Sequence, residues 1–80
     1  MAFTHEPVLY TRPGCHLCDQ VMDMLRAMEA GFTPVDIEND EELERKYGLQ
    51  IPVLRLPETG RELYFPFDQE RLMQFLEGYS

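Results

Sequence analysis

One junction constrains this chain more than any other part of it. A strand-like run, Val8-Leu9-Tyr10-Thr11, meets Pro13-Gly14 and then Cys15-His16-Leu17-Cys18, which opens an amphipathic run. β-branched and aromatic residues favour extended backbone up to Thr11, and Pro13-Gly14 stops it. Beyond the stop, Leu17, Val21, Met24, Leu25 and Met28 recur at helical spacing and share one face, with Gly31 as the expected end of the helix. A strand, a tight turn and a helix thus hold both cysteines where the strand's carboxyl end meets the helix N-terminus. Sites in open α/β sheets tend to lie there.

The remaining elements are short. Phe32 to Ile37 reads as a second strand, and Pro34, which cannot donate to a ladder, points to a sheet edge. Asn39 is the expected cap of a short helix, with Glu42 three residues on, Leu43 and Tyr47 on its apolar face and Gly48 after its last turn. Val53 to Leu56 and Glu62 to Phe65 flank Pro57-Glu58-Thr59-Gly60, which suits a β-hairpin. Asp68 is a good cap for a last helix carrying Leu72, Met73, Phe75 and Leu76, with Gly78 at its end. The expected fold class is α/β in the order β-α-β-α-β-β-α, a mixed four-stranded sheet with three helices and a right-handed parallel crossover. Met22, Met24, Met28 and Met73 read as core filling rather than metal ligands. Residues 1–80 make one domain, in which residues 1–6, His5 among them, read as a flexible tail. A chain of 80 residues removes only about 60% of its unfolded surface from water, so its core is modest.

Charge excludes several function classes. Fifteen acidic against seven basic residues give a net charge of -8, which repels phosphate backbones and anionic membranes, so no nucleic acid and no membrane is expected as a partner. The N-terminus lacks the basic start and apolar run of a secretory signal, and no stretch of about 20 apolar residues appears. A cytoplasmic monomer is the expectation. In that compartment a structural disulfide is unusual, so a close cysteine pair reads as catalytic or metal-binding.

A thiol attacks a disulfide as its thiolate, and a helix N-terminus favours that anion through unpaired N–H groups and partial positive charge. Cys15 lies nearest that end and is assigned the attack; Cys18, deeper in the first turn, is assigned the resolving role. Arg12 is the nearest cation in sequence and is read either as a support for a thiolate or anionic thiol substrate, or as a solvated side chain. His16 would stabilise a thiolate when protonated, or simply occupies an exposed turn. Asp19 suits the helix dipole and disfavours a nearby anion. Zinc and iron–sulfur readings need four ligands, and two histidines at unfamiliar spacings do not complete either set. No metal site is therefore assigned, although a metal-binding dithiol stays open as an alternative, as does a non-enzymatic protein-binding module. A purely structural disulfide closing two residues would stabilise little.

Two segments carry a family resemblance. Leu9-Tyr10-Thr11-Arg12-Pro13-Gly14-Cys15-His16-Leu17-Cys18 and Lys46-Tyr47-Gly48-Leu49-Gln50-Ile51-Pro52-Val53-Leu54 resemble the corresponding stretches of glutaredoxin-like proteins of the thioredoxin superfamily, and the match runs from Val8 to about Leu76. The resemblance is nearest to small, largely uncharacterised bacterial members, because His16-Leu17 replaces the usual Pro-Tyr between the cysteines. It implies a thioredoxin-like fold and a dithiol thiol-disulfide oxidoreductase acting on protein disulfides or glutathione mixed disulfides. It further implies glutathione as a possible co-substrate with no bound cofactor, and glutathione or a thioredoxin-reductase-type enzyme as reductant. A cis Ile51-Pro52 bond is implied too, against the base rate for X-Pro bonds. Arg12, Ile51, Pro52 and Asp68 become substrate-binding candidates by this resemblance. Asp68 alone is left of a Gly-Gly-x-Asp stretch, since Phe65-Pro66-Phe67-Asp68 stands in its place, and its alternative role is a helix cap. Phe65 and Phe67 are expected to reshape the groove.

Overall fold

The computed structural model describes residues 6–77. The order is β1 (Val8–Thr11), α1 (His16–Ala27), β2 (Thr33–Asp36), α2 (Glu41–Tyr47), β3 (Val53–Arg55), β4 (Glu62–Tyr64) and α3 (Gln69–Glu77), as the sequence implies. The sheet runs β2-β1-β3-β4, with β1 parallel to β2 and the other neighbours antiparallel. Pro34 lies on β2, an edge strand, where its missing N–H leaves no gap in a ladder. No helix among the described residues is long and apolar enough to cross a membrane.

The register divides the sheet into two faces. Leu9 pairs with Leu54 and Leu54 with Leu63, and this row packs with Val21 and Leu25 of α1 and with Leu72 and Phe75 of α3. On the opposite face α2 supplies Tyr47, which is buried with Ile37 and Val53 beside Tyr10, Leu43 and Ile51. Tyr10 and Tyr47 stack with ring centroids 4.4 Å apart. Period-two alternation along the strands produces both faces from one sequence.

Several sequence expectations are corrected. α1 ends at Ala27, four residues short of Gly31. Glu29 takes the positive φ of 56° instead, and the N–H groups of Glu29 and Ala30 reach back to the Arg26 and Leu25 carbonyls, each at 2.9 Å, in a Schellman-type stop. Asp40, not Asn39, caps α2: its carboxylate accepts from the N–H groups of Glu42 and Leu43 at 3.0 and 3.1 Å, while Asp36 caps the turn before it through Glu38. The second, third and fourth strands are each shorter than expected, β4 ending at Tyr64 before the cis Phe65-Pro66 bond. Met22, Met24 and Met28 pack against the core as expected, but Met73 is 48% exposed and Leu17, in the first turn of α1, is 44% exposed. Glu6 is tied to Thr33, whose hydroxyl donates to it at 3.1 Å. The rest of the expected tail with His5, and Gly78, lie outside the described residues.

Candidate functional site

The site grows from the β1–α1 turn. Gly14 takes a φ of +78°, which a side chain would strain, and this turns the chain from Thr11 into the helix. Cys15 is thereby the N-cap of α1, in extended backbone conformation, and its Sγ accepts the N–H of Cys18 at 3.1 Å. A sulfur has taken the place of the usual capping oxygen. Cys15 and Cys18 form a disulfide with Cα atoms 5.2 Å apart. The two are unequal in access: Cys15 is half-buried, whereas Cys18 is completely buried in the same row of α1 as Val21 and Leu25.

The other sequence candidates divide around this pair. Arg12 offers its carbonyl to the Cys15 N–H at 3.3 Å, but its guanidinium reaches across to α2 and meets Glu44 at 2.5 Å. Gly48 keeps that helix end compact, since a Cβ there would run into the Glu44 carbonyl. His16 is the first residue of α1 and is exposed. Pro52 is buried and the Ile51-Pro52 bond is cis, as the resemblance implies. The Ile51 N–H donates to the Tyr47 carbonyl at 3.1 Å and is therefore engaged within the chain. Asp68 is exposed and caps α3 through the Arg71 N–H at 2.8 Å.

Beside the dithiol runs a groove of about 480 Å³ lined by Leu17, Leu49, Ile51, Tyr64, Phe65 and Pro66, with Gln50 contributing an amide. Phe65 lines it while packing edge-to-face on Phe67, centroids 5.5 Å apart, and both rings rest on the core. Phe65 therefore lines the groove directly, whereas Phe67 touches it only through Phe65. A smaller hollow of about 280 Å³ on the Pro13-Gly14 side is bordered by Arg12, Asp19 and Asp36. Among the described residues no group of three or more His, Cys, Asp or Glu side chains is arranged to hold a metal.

Sequence reasoning missed three residues here. Glu44 lies 32 positions from Arg12, and no local pattern announces the pair. Leu49 is fully exposed, and its signal was present: an apolar residue in a loop between Gly48 and Pro52 has no helix or strand to bury it. Glu62 gathers Tyr47, Tyr64 and Arg55 behind the groove: the Tyr47 hydroxyl donates to it, the Tyr64 hydroxyl at 2.5 Å, and Arg55 at 3.4 Å. Burial opposes ionisation of Glu62, but the two tyrosine hydrogen bonds, with Lys46 and Arg55 nearby, outweigh it and hold its pKa below the usual carboxylate value. The hydrogen bond to Glu62 pushes Tyr64 up to about 12.

The family model described as "Glutaredoxin-like domain (DUF836)" matches residues 7–77. Among solved structures, the chain is similar to the structural-genomics target protein XcR50 from X. campestris seen by X-ray crystallography. The two are 48% identical, the match covers 92% of this chain and 99% of that one, and the TM-score is 0.84. Protein Ne2328 from Nitrosomonas europaea, solved in solution, is 26% identical over 94% of each chain with a TM-score of 0.77. No curated protein matches the chain.

Proposed function

This chain belongs to the glutaredoxin-like domain family, and on that premise we propose that it is a thiol-disulfide oxidoreductase working through Cys15 and Cys18. The observation that supports this reading most is the seat of Cys15, a half-buried sulfur at a helix N-cap that accepts a backbone N–H, three residues before a buried partner. The same N–H and the same helix end favour a thiolate once the disulfide is opened.

In the reduced protein the Cys15 thiolate attacks one sulfur of a protein disulfide or glutathionylated thiol. The substrate's S–S bond breaks, and the departing sulfur leaves as a thiolate that takes a proton from water. The Cys18 thiol then gives up its proton and attacks the Cys15 sulfur, so the mixed disulfide breaks, the substrate's second sulfur leaves and Cys15–Cys18 closes. Two electrons have passed from the dithiol to the substrate. Glutathione or a thioredoxin-reductase-type enzyme returns them by the reverse exchange, and no bound cofactor enters these steps. Of the substrate-binding candidates Arg12, Ile51, Pro52 and Asp68, Ile51 lines the groove; in this reading His16, exposed at the first position of α1, lies next to the attacking cysteine, and the cytosol, with its reduced thiol pool, suits the cycle.

Trapping tests the division of roles. Incubated with a protein disulfide, Cys18→Ser is expected to accumulate a mixed disulfide on Cys15, and Cys15→Ser to form none, by intact mass. Equal trapping by the two variants would overturn the assignment.

A further inference from the structure

The two flanks of the dithiol make opposite demands on a substrate. On one flank the described residues that line the groove are all uncharged, and within it Leu49 is fully exposed and Leu17 is 44% exposed. Apolar side chains gathered in water at a groove mark a binding surface for an apolar partner. On the other flank negative charge prevails: Asp19 and Asp36 border the turn, and Arg12, which lines the same hollow, is held by Glu44 at 2.5 Å.

Glutathione carries two carboxylates and one ammonium, a net negative charge, and none of the groove residues has a cationic side chain to meet a carboxylate. The chain as a whole, at -8, repels it further. A polypeptide that places apolar side chains beside its disulfide on a basic surface meets both flanks. Its apolar groups would bury against Leu17, Leu49 and Phe65, and its charge would speed the encounter. We propose, building on the oxidoreductase reading, that the groove takes the disulfide-bearing segment of a basic polypeptide in preference to glutathione. In this account Glu44 is a specificity-determining residue, because by holding Arg12 it withholds the cation that an anionic thiol would use.

The test follows the rate at which the reduced protein is oxidised by four disulfides. These are neutral hydroxyethyl disulfide, glutathione disulfide, a short peptide disulfide with leucine and lysine beside the cysteine, and the same peptide with glutamate for lysine. The lysine peptide is expected to react about tenfold faster than glutathione disulfide at low ionic strength, and the glutamate peptide to lose most of that advantage. Added salt should narrow the gap between the two peptides, since screening at about 0.1 M acts over roughly 10 Å. Leu49→Ser should reduce the preference for the lysine peptide over glutathione disulfide. Glu44→Gln should raise the glutathione disulfide rate about two- to fivefold, the scale of one partly exposed ion pair. A wild-type protein that takes glutathione disulfide as fast as the lysine peptide, or a Glu44→Gln variant that moves neither rate, would overturn the proposal while leaving the redox reading standing. Failure to reduce even hydroxyethyl disulfide would remove the redox reading, and the specificity with it.

Discussion

The two faces of the sheet are closed by different chemistry. Beneath α1 and α3 the row Leu9, Leu54, Leu63 meets Val21, Leu25, Leu72 and Phe75, without a charged group among its buried members. Beneath α2 the same strands present Tyr10, Val53 and Tyr64, with Arg55 beside Glu62, and the closure depends on stacked rings and hydroxyl-to-carboxylate hydrogen bonds. The apolar face continues the buried row that holds Cys18, while the mixed face carries Glu44, which holds Arg12. The dithiol stands where the two meet. One face therefore buries Cys18, and the other carries the ion pair that engages Arg12.

Substitutions that separate the faces test this division. Leu54→Ala is expected to cost about 2–5 kcal/mol in urea unfolding of the reduced protein, because a cavity opens in a dry core. Tyr47→Phe keeps the ring stack and removes one hydroxyl donor from Glu62, which retains Tyr64 and Arg55, so the loss should be about 1–2 kcal/mol. Equal losses would dissolve the contrast. Next in size is the α2 cap: Asp40→Ala should cost about 1 kcal/mol, and Asn39→Ala no more than about 0.5 kcal/mol.

The smallest effect sharpens the comparison through pH. Glu62 has its folded pKa lowered, so its contribution is present above the unfolded value of 4.5 and is lost as pH falls through the folded pKa. Tyr64 is raised, so its contribution is complete below pH 10.0 and is lost as pH rises from there to about 12. Its size is modest, because Tyr64 is 45% exposed and water screens the pair. Urea midpoints measured across pH should show the alkaline loss in the parent and a weaker one in Tyr64→Phe. An unchanged alkaline slope in that variant would remove Tyr64 from the account.

Residues whose partners lie close in sequence were legible, and residues whose partners lie far away were not. The α1 stripe, the edge position of Pro34 and the Asp68 cap all follow from local spacing or from one residue's missing donor. Asn39 and Asp40 are adjacent and chemically equivalent as caps, so only the backbone path chooses between them. Gly31 looked like the helix stop, yet packing of Ala30 and Phe32 against the core turns the chain at Glu29. Leu17 carries the helical period but sits in the first turn, beyond the reach of the sheet, and so faces the groove. Within the site, Cys15 and Cys18 were plain from their spacing, whereas the Arg12–Glu44 pair depends on how α2 lies over the turn and has no local signature.

Intact mass after equilibration across a series of reduced-to-oxidised dithiothreitol ratios shows whether Cys15 and Cys18 form a reversible redox couple. A single reversible transition in which the protein loses two hydrogens is expected, abolished in Cys15→Ser. A protein that keeps both thiols across the series, or one whose disulfide does not open under reducing conditions, would contradict it.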